Sequence, residues 1–222
     1  MSVSLDFFEQ LTDDERRALE TVATTRRATR GQVLMAEGQV ADCVIVLRTG
    51  HAKVVAAGPE GNEVVLTFRG PGALLGEQAI VDGAPRATGV VAIEPLEMMI
   101  VPASAFRHYL EQRPAVLMKL LGILSRRLRD SDRQLVRFAT SDTLGRVAAR
   151  LVELCERHGE ARDDGAVHVA LPLTQGDLAG LAGSSLESTA KALRLLRRLH
   201  WLTTGRRSIT VHDLDALRHR AG

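Results

Sequence analysis

Leu117, Leu121, Leu124, Leu128, Ser131, Leu135 and Phe138 follow one another at steps of four and three. That spacing is the a/d seam of a heptad repeat with one polar position, and it fits a helix rather than a strand or a loop. A long helix is therefore expected over 114–140. Its seam has two uses. It can meet the same seam of a second copy as a parallel helix pair, which leaves Arg126, Arg127, Arg129, Asp130, Asp132 and Arg133 on the solvated flank, or it can be buried against its own domain. Ser131 bears on the choice, because a hydroxyl in an apolar seam costs stability unless it finds a hydrogen-bond partner, either its symmetry mate or a ligand.

The chain changes texture on either side of this helix. Before about residue 105, short β-rich pieces ("CVIVLRTG", "HAKVVAAG", "EVVLTFRG", "GVVAIEPLEMMIV") are punctuated by Gly31, Gly38, Gly50, Gly58, Gly61, Gly70, Gly72 and Gly76. That pattern predicts an antiparallel sandwich or roll. Ahead of it, "LTDDERRALETVA" reads as a short amphipathic helix capped by Thr12, with Asp13, Asp14 and Glu15 well placed for the helix dipole.

After "TSDTLG" comes another helical segment, "GRVAARLVELCERHG", then a polar loop, then "LPLTQGDLAGLAGSSLESTAKALRLLRRLHWLTTGRRSITVHD". Thr174 can cap a short helix, Gly183 can take a left-handed turn conformation, and Ser184 or Ser185 can cap a second helix. Ala179 is small where two such helices would pack. This is the pattern of a helix-turn-helix, and "WLTT", Gly205 to Arg207 and "SITV" read as a hairpin wing. Lys191, Arg194, Arg197, Arg198, Arg206 and Arg207 fall between Thr189 and His212 with no Asp or Glu among them. One edge of a chain whose net charge is only +2 is thus strongly positive, which is the footprint of a nucleic-acid partner.

Other functional classes find little support. The 222 residues, 45% of them hydrophobic, suffice for one large or two ordinary domains. Cys43 and Cys155 lie far apart without ligand spacing, so neither a disulfide framework nor a metal site is suggested, and a reduced, cytoplasmic setting fits. The N-terminal stretch lacks the basic-then-apolar pattern of a signal, and no run approaches the length of a membrane span. His51, expected in a strand, and His108, expected near a helix start, have no recognisable partner that would make them haem ligands. An enzyme of cyclic-nucleotide metabolism would need metal ligands or an acid/base pair, and the histidines are scattered; no catalytic residue is assigned.

Four stretches in this order, "GEQAIVDGAPRAT", "LSRRLRDSDRQL", "TLGRVAARLVEL" and "LTQGDLAGLAGSSLESTAKAL", give the chain an end-to-end resemblance to the cyclic-AMP receptor protein and fumarate-nitrate regulator family of bacterial transcription factors. The resemblance implies an α+β architecture: a β-roll effector domain (1–113), a dimerisation helix (114–140) and a winged helix-turn-helix (141–222). It implies a homodimer that binds a palindromic site in double-stranded DNA, works with RNA polymerase, has no obligatory cofactor and is controlled by a cyclic nucleotide, cyclic AMP first. The alternatives are control by cyclic GMP, or a constitutive or other-ligand-controlled family member whose β-roll does not sense a nucleotide. The seam residues named above would form the dimer interface.

The family's residue roles carry over position by position. Gly76, Glu77 and Arg86 match the cassette in which the Arg meets the cyclic phosphate, backbone amides after the Gly and at Ala87 complete the cradle, and the Glu accepts from the ribose 2′-hydroxyl. Thr88 stands next in line. A structural Glu77–Arg86 ion pair without a ligand is the alternative. Arg127 would orient Glu77 or the ligand. At the base, Ser131 and Asp132 occupy the places of a Thr and a Ser, and a carboxylate at 132 can accept from the adenine amino group or from the N1 and N2 edge of guanine. In the reading helix Ser185, Leu186, Glu187, Ser188 and Lys191 stand where the family has Ser-Arg-Glu-Thr and a later Arg. Glu187 can accept from cytosine and Lys191 donate to guanine, while Leu186 offers only apolar contact. Glu187 could instead complete a capping box with Ser184. Thr174, Gln175, Ser185, Ser188, Arg206 and Arg207 complete the expected DNA contacts.

Overall fold

The computed structural model describes residues 6–58 and 63–222, so the turn expected around Gly61 and residues 1–5 lie outside the described residues. The chain divides into two compact units, the first ending at Asp130 and the second beginning at Ser131.

The first unit opens with α1 (Asp13–Thr21), where Thr12 and Glu15 form a full capping box. Next come β1 (Thr24–Ala28), β2 (Val33–Met35), β3 (Cys43–Thr49), β4 (Ala52–Ala57), β5 (Glu63–Arg69), β6 (Leu74–Leu75), the short helix α2 (Glu77–Asp82), β7 (Gly89–Ala92), β8 (Leu96–Pro102), α3 (Ala103–Glu111) and α4 (Pro114–Thr140), whose residues from Ser131 onward are counted with the second unit. The strands form two four-stranded sheets, β1-β8-β3-β6 and β2-β7-β4-β5, with antiparallel pairing throughout. β3 is buried on both faces. Val44 and Val46 join Phe7, Leu19 and Phe106 under the helices, while Ile45 and Leu47 join Met35, Val90 and Met98 in the second core cluster. Its sequence is therefore a continuous apolar run instead of an alternating one.

Three sequence expectations change here. "GVVAIEPLEMMIV" is two strands, β7 and β8, broken at Glu94 and Pro95; Pro95 has no N–H to donate to a ladder. His51 lies outside the strands, between β3 and β4, with Nδ1 2.6 Å from Glu94 Oε1. His108 sits in the last turn of α3, not near its start.

α4 carries two apolar stripes. Val116, Leu120 and Ile123, at steps of four and three, are buried against the first unit's own helices and sheet, and Leu124 packs half-buried beside them. The leucine stripe lies on the neighbouring face, where Leu117, Leu121, Leu128 and Leu135 are 38%, 48%, 64% and 65% exposed.

The second unit contains α5 (Thr143–His158), β9 (Gly159–Ala161), β10 (Val167–Val169), α6 (Gln175–Ala182), α7 (Leu186–Arg198), β11 (Leu202–Gly205), β12 (Ser208–Val211) and α8 (Leu214–Ala221). α5 packs against α6, α7 and α8, and the antiparallel sheet β11-β12-β10-β9 closes the unit. The segment expected as a polar loop thus supplies two wing strands, β9 and β10. Phe138 packs on Gly183, where a Cβ would come within 2.5 Å of its ring. Arg146 donates from Nε to Ala182 O (2.9 Å) and from Nη1 to Ser141 O (2.8 Å), which anchors the α6–α7 turn to the end of α4.

Candidate nucleotide and DNA sites

The cassette begins where β6 ends. Gly76 has φ +82, the left-handed region open to glycine, and it starts α2 directly. The backbone amides expected after Gly76 belong to the first turn of this six-residue helix. A Cβ at Gly76 would collide with Arg86 Nη1 and lie 2.7 Å from Met35 Cε, so only a residue without a side chain lets the guanidinium lie over it.

Arg86 is 4% exposed and held through its backbone and through Nη2. Its backbone N–H donates to Gln39 O and its carbonyl accepts from Gly38 N, both at 2.8 Å. Nη2 donates to Cys43 O (2.8 Å) and Asp42 Oδ1 (3.1 Å). Nη1 is buried and has no hydrogen-bond partner among the described residues. Nearly all buried polar groups are satisfied, so an orphaned N–H on a charged group calls for a partner from outside the chain. Asp42 does little to neutralise the guanidinium, because its side chain is 84% exposed. The hydrogen bond from the Cys43 thiol, helped by Arg86, holds the Asp42 carboxyl below its usual range. Burial, and then the Asp42 charge, push the Cys43 thiol up.

Glu77 is 2% exposed and pairs with Arg127 Nη1, while Arg127 Nη2 donates to Leu74 O at 3.0 Å. Glu77 and Arg86 thus have different partners, and the ligand-free ion pair between them does not form. Arg127 continues the buried stripe Val116, Leu120, Ile123 by one further turn, which is why it reaches the sheet edge. Ala87 is exposed and Thr88 half-buried just after Arg86. Ser131 and Asp132 are exposed, farther along α4 and within the second unit. Sequence reasoning missed Met35, Gln39, Asp42 and Cys43; Gly38 was the one signal in their loop.

In the second unit Thr174 caps α6 and forms a capping box with Asp177. Gly183 ends α6 with φ +54, and Ser185 caps α7 through Ser188 N at 3.1 Å. Ser184 is instead 2.7 Å from Thr189 Oγ1, so the box imagined between Ser184 and Glu187 does not form. Glu187 lies 2.7 Å from Lys191 Nζ, an exposed pair one helical turn apart. Gln175 and Leu186 are exposed, Leu186 by 57%. The wing turns at Arg206 and Arg207, both exposed, with Arg207 at φ +61. Arg197 Nη1 donates to Thr204 Oγ1 (3.2 Å) and ties α7 to the wing. Among the described residues no group of three or more His, Cys, Asp or Glu could hold a metal ion, and no helix is long and apolar enough to cross a membrane.

Residues 25–113 match the cyclic nucleotide-binding domain family and residues 145–220 the Crp-like helix-turn-helix domain. The CRP-like cAMP-activated global transcriptional regulator of Mycobacterium tuberculosis is 33% identical over 192 residues, 86% of this chain and 85% of that protein. The structure of FixK2 from Bradyrhizobium japonicum shares the fold with a TM-score of 0.78 at 22% identity, covering 90% of this chain and 98% of that one. The c-di-GMP responsive global regulator CLP of Xanthomonas campestris also has a TM-score of 0.78, at 19% identity, over 90% of this chain and 99% of that one.

Proposed function

Since this chain belongs to the Crp-like family of DNA-binding transcription regulators, with a cyclic nucleotide-binding domain and a Crp-like helix-turn-helix, we propose that it is a cytoplasmic homodimer whose binding to a palindromic DNA site is controlled by cyclic AMP. The observation that carries this reading is Arg86 Nη1, a buried guanidinium N–H with no partner among the described residues, beside a left-handed glycine. A cyclic phosphodiester supplies the missing acceptor, and the Ala87 amide adds to the cradle. Glu77, held by Arg127, accepts from the ribose 2′-hydroxyl. The cAMP-activated relative at 33% identity supports the choice of nucleotide.

The functional division is 1–113 for the effector, 114–140 for dimerisation and 141–222 for DNA. The exposed leucine stripe of α4, with Ser131 among it, pairs with its copy. Thr174, Gln175, Ser185, Ser188, Arg206 and Arg207 meet phosphates, Leu186, Glu187 and Lys191 meet base edges, and RNA polymerase is a further partner. A second reading, cyclic GMP, rests on Asp132, whose carboxylate can accept two hydrogen bonds from guanine.

Calorimetric titration of the full chain with each nucleotide tests both readings. Cyclic AMP should bind; failure of both nucleotides to bind would sink the effector assignment. Asp132→Ser should shift the affinity ratio toward cyclic AMP if the carboxylate reads guanine, and an unmoved ratio discards that role.

A further inference from the structure

The basic character of α7 does not stop at the base-reading positions. Lys191, Arg194, Arg197 and Arg198 line one open depression of about 570 Å³ on the second half of the helix. Lys191, Arg194 and Arg198 recur at steps of three and four, so they share a face over roughly 10 Å of helix. Lys191 is answered by Glu187, and Arg197 is turned toward Thr204 on the wing. No Asp or Glu lies between Thr189 and His212 to answer Arg194 and Arg198, and both are exposed. Like charges gathered around one hollow repel each other, and an anion placed there relieves all of them at once.

We propose that this hollow is a phosphate-binding surface that extends the DNA footprint past the reading positions, with Arg194 and Arg198 each meeting a backbone phosphate. The inference rests on the DNA-binding reading above and deepens it. The first turns of a reading helix meet base edges. Glu187 and Arg198 are eleven residues apart, about 16 Å of helix, while the major groove is about 12 Å wide. With the Glu187 end in the groove, the Arg198 end reaches its rim, where the phosphates are. The bond from Arg197 to Thr204 holds the wing, and with it Arg206 and Arg207, against the same end of α7. The rival account is structural: cations in the last turn of a helix gain a little from its dipole.

Salt dependence separates the two. Each phosphate contact contributes about 0.9 to the slope of log K against log salt. Both protomers of the dimer carry the substitutions, so the double variant Arg194→Gln/Arg198→Gln of the full-length, nucleotide-saturated protein removes four phosphate contacts; it should lose about 3.6 of that slope and bind roughly 4,000-fold more weakly at 0.1 M salt. The loss should be equal on a selected palindromic site and on random duplex, because phosphates carry no sequence information. Arg194→Lys/Arg198→Lys should restore the slope. A slope unchanged from that of the unsubstituted protein would overturn the proposal, as would weakening confined to the selected site. Should the double variant prove unstable, Arg198→Gln alone decides the question in the same way, with an expected loss of about 1.8 from the two protomers together. Failure of the unsubstituted protein to bind any duplex would overturn the DNA reading itself.

Discussion

Replacing Arg86 by Ala separates ligand binding from folding, because the guanidinium serves the two differently. In the ligand-free protein it gives one good hydrogen bond, Nη2 to Cys43 O at 2.8 Å, and a mostly solvated contact with Asp42. Against these stands the buried, unpaired Nη1. A satisfied bond to a charged group contributes about 1.5–3 kcal/mol and an unsatisfied buried donor costs about 1–3 kcal/mol, so the two nearly cancel and ligand-free stability should move little. Nucleotide binding loses the charge-assisted bond, about 1.5–3 kcal/mol, or roughly ten- to 150-fold in affinity. At a cyclic AMP concentration 100 times the unsubstituted protein's Kd, the ligand-linked stabilisation should drop from about 2.7 kcal/mol to between about 0.3 and 1.4 kcal/mol. Calorimetry gives the affinity, and denaturant unfolding with and without nucleotide gives the stabilisation. An unchanged Kd would remove Arg86 from the site, and a large loss of ligand-free stability would show that its role is structural.

Gly76→Ala places a Cβ against Met35 and Arg86 in a left-handed conformation, so it should destabilise the chain by about 1–3 kcal/mol and also weaken nucleotide binding; unfolding and titration curves matching the unsubstituted protein would refute this. Leu128→Asp puts a charge at a position 64% exposed in the single chain, so sedimentation should show folded monomer in place of dimer, and a retained dimer would move the interface off this stripe. Burial pushes the Tyr109 hydroxyl from 10.0 up to about 12, which favours the neutral phenol in the folded state. Its stability contribution is therefore full below pH 10 and lost as pH rises from about 10 to 12. Tyr109→Phe should flatten that decline and lose about 1 kcal/mol through the missing bond to Glu15 O (3.0 Å); an unaltered decline would assign it to another group.

Local rules made much of this readable. Caps at Thr12, Thr174 and Ser185, the left-handed Gly183 and the leucine spacing of α4 depend on near neighbours in sequence, and each is present as expected. Long-range pairing was hidden. β6 has two residues and β9 and β10 three each, too short to show a period, and they exist because β3, β10 and β12 offer them partners. The second stripe of α4 was masked by the stronger leucine pattern, although Val116, Leu120 and Ile123 are the residues that bring Arg127 to Glu77. At the cassette Gly76, Glu77 and Arg86 were legible as a motif. Their partners Asp42 and Cys43 were not, because a separation of 44 residues between Asp42 and Arg86 leaves no local trace.

Coupling between the two sites is the central claim, and it is reciprocal by thermodynamic necessity. α4 carries Arg127, which holds Glu77, and also the exposed leucines proposed above as the pairing surface for a second copy. Nucleotide binding can thereby bias how the two reading helices are spaced, with about 34 Å, one turn of B-DNA, required for both to enter successive major grooves on one face. A bias of about 1.4 kcal/mol gives a tenfold gain in DNA affinity. The direct measurement is nucleotide affinity by titration, with and without a selected palindromic duplex, at one fixed salt concentration. Affinity higher with DNA, by the same factor as the nucleotide's effect on DNA binding, is the expected result; equal affinities in the two titrations would contradict the account.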